Sequence, residues 1–150
     1  MAATATYSAS MRTRKTSSSG NAKSAVACQE YYDDSYNYVG IVHFSGMALS
    51  GKVITGISLR VKADQAGYGG GHTKTVYVRR SKYQAVSQSG VTGGSYYGDA
   101  LGTFTGSFYG NTTTYTLSGS LLTNMAAYLA EGNNTICLFN PSPVKSSQGY

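Results

Sequence analysis

The 150 residues carry 12 Lys and Arg against 6 Asp and Glu, a net charge of +6, with 19 Gly, 14 Tyr, 2 Cys, 2 Pro and no Trp. That length suits one domain, and a charged share of 12% beside 12% aromatics excludes both intrinsic disorder and a long-helix or coiled-coil protein. Ser and Thr make up about a quarter of the chain, so the composition is that of a β-rich domain with a surface of hydroxyls and tyrosines.

In chain order, Ala3, Ala5, Tyr7, Ala9 and Met11 alternate with Thr4, Thr6, Ser8 and Ser10, the period of two of a half-buried strand. Lys15 to Asn21 reads as a polar loop, and Ala25 to Gln29 as a short strand carrying Cys28. Tyr36 to Phe44 is aromatic and β-branched throughout and predicts a central strand buried on both faces. Ser45 to Lys52 is a turn region. Val53 to Val61 predicts a strand with Ile57, Leu59 and Val61 on its core side. After a glycine-rich connection, Thr75 to Arg80 predicts a strand with Val76 and Val78 inward, and Val86 to Gly98 a long Ser, Gly and Tyr loop. Leu101 to Tyr109 and Thr113 to Leu117 flank Gly110-Asn111, a candidate hairpin turn. One helix follows. Leu122, Met125, Ala126 and Leu129 share a face, with Ser118 or Ser120 placed to cap its start and Gly132 its end. Thr135 to Phe139 is the last strand, ended by Pro141 and Pro143. These elements predict an all-β fold over residues 1–150, a single jelly-roll-like β-sandwich domain with one short helix near the C-terminus.

Few residues are placed for chemistry. Arg12, Arg14, Lys15 and Lys23 form one basic group and Arg79, Arg80 and Lys82 another, read as solvated basic faces because no nucleic-acid module accompanies them. Cys28 and Cys137 read as two buried apolar thiols, a disulfide between them being the alternative. His43 and His72 have no ligand partner at metal spacing; Glu30, Asp33 and Asp34 are a weak Ca²⁺ candidate beside the plainer reading of a solvated acidic turn. Asp64, Asp99 and Glu131 are the remaining carboxylates, the candidates for a glycosidase pair. No nucleophile-elbow or Walker spacing is present, so no enzyme and no cofactor is expected. Asn111 and Asn133 satisfy the glycosylation pattern, which arises readily in a chain rich in Thr. Met1-Ala-Ala-Thr-Ala-Thr-Tyr7 lacks a basic region followed by an apolar run, so no signal peptide is expected, and no apolar run approaches a membrane span. Tyrosine is the one enriched group with binding potential. Tyr31 and Tyr32 crowd one segment, and Tyr96 and Tyr97 in the long loop are expected to offer an exposed contact to a ligand.

Tyr38-Val-Gly-Ile-Val-His-Phe44, a turn with Gly, and Val53-Ile-Thr-Gly-Ile-Ser-Leu-Arg-Val61 together resemble the middle of DNRLRE-type β-sandwich modules. Tyr115-Thr-Leu-Ser118, the helix Met125-Ala-Ala-Tyr-Leu-Ala-Glu-Gly-Asn-Asn134 and Ile136-Cys-Leu138 are similar to that family's short helix and following strand. The namesake motif is absent, and the chain stops at Ser146-Ser-Gln-Gly-Tyr150, where the family carries a final strand. The resemblance therefore implies either a sandwich lacking its last strand, with an edge open to another chain, or a last strand supplied by residues beyond Tyr150. Such modules occur in cell-surface proteins, and similar folds occur on phage virions. The setting expected is a virion or extracellular surface. The function expected is a non-enzymatic structural module, a head decoration or tail fibre, partnered by other virion or surface-assembly proteins and by copies of itself. The alternative is a carbohydrate-binding module using Tyr96, Tyr97, Tyr31 and Tyr32 on surface glycans. Neither nucleic acid nor membrane is an expected partner.

Overall fold

Two apolar runs, Tyr38–Phe44 and Thr135–Phe139, lie side by side and antiparallel in the middle of the molecule. The computed structural model describes residues 2–15, 21–23, 38–62, 73–107 and 112–139, and these described residues form eight strands and two helices. They are β1 (Ala9–Lys15), β2 (Asn21–Lys23), β3 (Tyr38–Phe44), β4 (Ser58–Lys62), β5 (Thr73–Ser81), α1 (Gly93–Tyr96), β6 (Tyr97–Ser107), β7 (Thr112–Thr116), α2 (Gly119–Ala130) and β8 (Thr135–Phe139). One antiparallel sheet has the order β2-β1-β3-β8-β5-β6, and β4 and β7 form a second, two-stranded sheet. The fold is all-β and sandwich-like.

Residues directly opposite in an antiparallel pair share a face, and the register divides the large sheet cleanly. Val42, Val78 and Ile136 lie on one face, beneath Leu117 and the α2 residues Leu121, Met125, Tyr128 and Leu129. Val39, Ile41, Cys137 and Phe139 lie on the other, beneath Tyr96 and the half-buried Tyr83, Val86, Val91 and Tyr97. We call these the helix face and the loop face. β3 is thus buried from both sides, as its unbroken apolar run requires.

The structure corrects several expectations. The first strand is Ala9–Lys15, not residues 3–11, because pairing with β3 runs from Ala9↔Phe44 to Lys15↔Tyr38. The strand expected over residues 53–61 is confined to Ser58–Lys62, although Ile57, Leu59 and Val61 do face inward as half-buried residues. The stretch read as a loop from Val86 to Gly98 contains the turn of α1 and the start of β6. Thr92 caps α1 by accepting the Ser95 N–H. β6 and β7 are not a hairpin: β6 pairs with β5, and β7 crosses to the small sheet to pair with β4. The expected strand over residues 25–29, with Cys28, lies outside the described residues.

Two glycines on β6 set how closely the second layer approaches. A methyl group on Gly102, whose φ of +148° already disfavours side chains, would lie 2.9 Å from Leu121 Cβ. One on Gly106 would lie 2.5 Å from the Tyr115 ring. The Tyr115 ring in turn packs against Phe104, centroids 5.3 Å apart.

The helix α2 starts after Ser118, which sits at the N-cap in extended conformation without a side-chain capping bond. It ends at Gly132, φ +97°, whose N–H bonds the Leu129 carbonyl, so the expected glycine stop is present. Its buried stripe is rotated from the expected one. Leu121, Met125, Tyr128 and Leu129 face the core, and Leu122 is half-buried at the rim. Leu121→Ala is expected to cost about 2–5 kcal/mol in urea unfolding, and Leu122→Ala roughly half that. Equal costs would mean that the helix presents a different face.

Candidate functional site

The loop face carries most of the described polar chemistry, and it is organised by an arginine. Arg14 lies opposite Val39 on β1 and is 2% exposed. Its Nη1 donates to the carbonyls of Gln88, at 2.9 Å, and Val91, at 2.6 Å, and its Nη2 to Ser87 Oγ at 3.3 Å. Its guanidinium carbon stands 5.1 Å from the centroid of the Tyr96 ring. The two carboxylates among the described residues, Asp99 and Glu131, make no contact with it. Arg14 is therefore a buried cation held by carbonyl dipoles and an aromatic face, which fixes residues 87–96 onto the sheet. The reading of residues 12–15 as a solvated basic face fails at Arg14: its place on an even position of β1 turns it under this segment.

A second network joins the same segment to the other side of the sheet. Tyr128 Oη donates to the Thr135 carbonyl at 2.6 Å and accepts the Ser81 N–H at 3.1 Å and Gln84 Nε2 at 3.2 Å. Gln84 Oε1 accepts the N–H groups of Asn134 and Thr135. Arg80 crosses the Tyr128 ring, 5.2 Å from its centroid, and holds Glu131 with two bonds of 3.1 Å. Asn133 Nδ2 donates to the Tyr128 carbonyl and to Glu131, so the amide of that glycosylation pattern is engaged within the fold.

Tyr96 and Tyr97 part company. Tyr96 is fully buried beneath residues 83–91, its ring 5.1 Å from that of Tyr83. It is a core residue and offers no exposed contact, because α1 turns it onto the sheet. Tyr97 is half-buried and stacks on Phe139 at 5.0 Å, with Arg79 5.0 Å from its own centroid and 5.7 Å from that of Phe139. Arg79 is anchored by a bond to the Gly98 carbonyl. The register places Tyr77 opposite Phe139 and Thr103, and Thr75 opposite Thr105 with their hydroxyls 3.2 Å apart. The loop face thus carries an aromatic and hydroxyl strip beside the Arg14 clamp. Tyr31 and Tyr32, and Glu30, Asp33 and Asp34 of the Ca²⁺ candidate, lie outside the described residues, as do Asp64 and His72. Among the described residues no three potential metal ligands come together. His43 Nδ1 lies 2.8 Å from Thr135 Oγ1, a contact within the sheet. Among the described residues no helix is long and apolar enough to cross a membrane.

Sequence reasoning singled out Tyr97, named Arg14 and Arg79 only as members of basic groups, and gave no role to Gln84 or Tyr128. The available signal was parity: Arg79 alternates with Val76 and Val78, so it had to lie on the face opposite to them. Comparison of the chain with family models, curated proteins and solved structures returned no match.

Burial sets the electrostatics of the core. It pushes the Cys137 thiol from 9.0 up to about 12, against the opposing pull of a Ser81 bond and the Arg79 charge. It also raises the Tyr96 and Tyr128 phenols above 10.0. All three are held neutral in the fold and ionise at lower pH when unfolded. The folded state therefore binds more protons above about pH 9, and its stability is complete below that pH and falls as pH rises toward 12. Urea midpoints measured from neutral to alkaline pH are expected to show this decline, with a shallower slope in Cys137→Ala. An unchanged slope would remove Cys137 as a cause. For the clamp, Arg14→Lys is expected to cost roughly 2–3 kcal/mol, because a lysine cannot bond the two carbonyls and Ser87 Oγ from two fixed nitrogens while laying a flat face on Tyr96. Amide exchange should quicken selectively over residues 83–96; uniform exchange would show that Arg14 does not hold that segment.

Proposed function

We propose that this chain is a non-enzymatic structural module of a surface assembly, displayed on a bacteriophage virion or a similar extracellular surface as a head decoration or tail fibre. The observation that carries this reading is the use the fold makes of its charged and hydrogen-bonding side chains. Arg14, Arg79, Arg80, Glu131, Gln84 and Tyr128 each hold backbone or rings together rather than converge on an open site. The outer side of the β4–β7 ribbon adds a hydroxyl-rich, weakly basic surface of Ser58, Arg60, Lys62, Thr112, Thr114 and Thr116. The resemblance to DNRLRE-type modules supports the same setting, as does a chain rich in Ser, Thr, Gly and Tyr.

A carbohydrate-binding reading has one observation in its favour, the half-exposed Tyr97, stacked on Phe139 on the face that also carries Tyr77, Thr103 and Thr105. The two readings separate by experiment. Light scattering on a sizing column across a concentration series is expected to show mass above that of the 15.8 kDa chain. Screening on a glycan array is expected to show no binding that Tyr97→Ala removes. A strict monomer with glycan binding lost in Tyr97→Ala would replace the structural reading with the second one.

A further inference from the structure

Three buried side-chain atoms among the described residues have no hydrogen-bond partner: Arg14 Nε, Arg79 Nε and Tyr96 Oη. All three belong to the loop face. The helix face has the opposite balance, since the hydroxyl of its buried Tyr128 both donates and accepts. A buried donor left unmet has given up its bonds to water, a cost that opening returns. Arg14 Nε and Tyr96 Oη lie beneath residues 87–96, so this cost is concentrated under one stretch of chain. That stretch is also lightly tied. Its two ends meet, with the Lys82 N–H bonded to the Tyr96 carbonyl at 2.7 Å and Ser81 paired with Tyr97 across β5 and β6. Among the described residues no other backbone–backbone bond joins residues 85–96 to the rest of the molecule. Their side-chain tie to the sheet is Arg14, through residues 87, 88 and 91. Ser87, Gln88, Ser89 and Gly90 are exposed on the outer side.

We infer that residues 85–96 are a strap that lifts from the loop face as a unit while both sheets stay paired, latched by Arg14 and hinged at Gln84 and Tyr97. Gln84 is the fixed end, because its side chain bonds Tyr128 and the N–H groups of Asn134 and Thr135. Tyr97 is the other, as the first residue of β6. Lifting breaks the three Arg14 bonds and parts Val86, Val91 and Tyr96 from Val39, Ile41 and Cys137. In return, water reaches Arg14 Nε, Tyr96 Oη and the released carbonyls. The apolar contacts keep the closed form as the ground state. Global unfolding must give up the helix face and the β3–β8 pairing as well, so lifting the strap is the smaller step. The open form bares an apolar floor with the freed guanidinium at its rim. This device belongs to the single chain and does not depend on the assembly reading.

Cys137 reports the opening, because its thiol is fully buried under this cover. Alkylation by iodoacetamide is followed at Cys137 by peptide mass mapping, in native buffer and in urea below the unfolding transition. The full chain, Tyr96→Phe and Arg14→Lys are compared, each beside its own urea unfolding curve. In the full chain the reaction is expected to run faster than global unfolding allows and to change little with urea, since a lifting strap exposes little surface. Tyr96→Phe removes the unmet hydroxyl from the closed form and is expected to slow the reaction about fivefold or more. Arg14→Lys weakens the latch and is expected to quicken it about tenfold. Alkylation that tracks global unfolding at every urea concentration would overturn the strap. An equal or faster reaction in Tyr96→Phe would do the same, because the hydroxyl would then carry no cost in the closed form.

Discussion

Everything in this molecule follows from burying β3 and β8 on both sides. A strand pair with Val39, Ile41, Ile136 and Cys137 at or below 1% exposure needs two covers, and each cover must be fastened separately. On the helix face the cover is α2 with the β4–β7 ribbon, fastened by apolar packing and the Tyr128 hydroxyl. On the loop face the cover is an irregular segment, residues 82–97, which has little secondary structure to fix it. Arg14 supplies what regular hydrogen bonding does not: one arm of a rigid fork bonds two carbonyls and the other Ser87 Oγ, while its flat side rests on Tyr96. Burying a cation is costly unless its donors are met. Here Nη1 and Nη2 are met by the loop's carbonyls and Ser87 Oγ, while Nε is buried without a partner, a cost set against the Tyr96 face.

The two fastenings are linked through one residue. Gln84 belongs to the loop-face segment, yet its side chain bonds Tyr128 of α2 and the backbone that enters β8. Displacement of either cover is therefore felt at the same turn, where α2 hands over to the central strand. A fold fastened this way is a stiff body, the property that the proposed assembly role would need.

The strands with a strong period were legible in the sequence because burial and pairing agree there. Thr135–Phe139 and the inward Val76 and Val78 are cases of this kind, as is the glycine stop at Gly132. What was not legible is set by tertiary partners. The stripe of α2 could be read as containing Leu122 or Leu121, and only the close approach of Leu121 to Gly102 decides it. Gly110-Asn111 has the chemistry of a hairpin, but strand pairing is chosen by the sheet that needs an edge, and β7 was needed beside β4. Tyr96 and Tyr97 are adjacent and alike in sequence. The turn of α1 sends one into the core and leaves the other at the surface, a distinction carried by backbone geometry that residue type does not record.

The contact between Gly106 and the Tyr115 ring has a consequence for how this chain can change over time. The ring occupies the volume that any side chain at position 106 would need, so the two positions form a single packing unit split between two sheets. A lineage that gains a methyl at 106 must also move or shrink the Tyr115 ring, whose tip meets that methyl. Changes at the two positions are therefore coupled even though each single change looks mild. Among relatives of this chain, large residues should alternate between the two positions and not occupy both, a pattern that would mark this layer contact without any structure in hand.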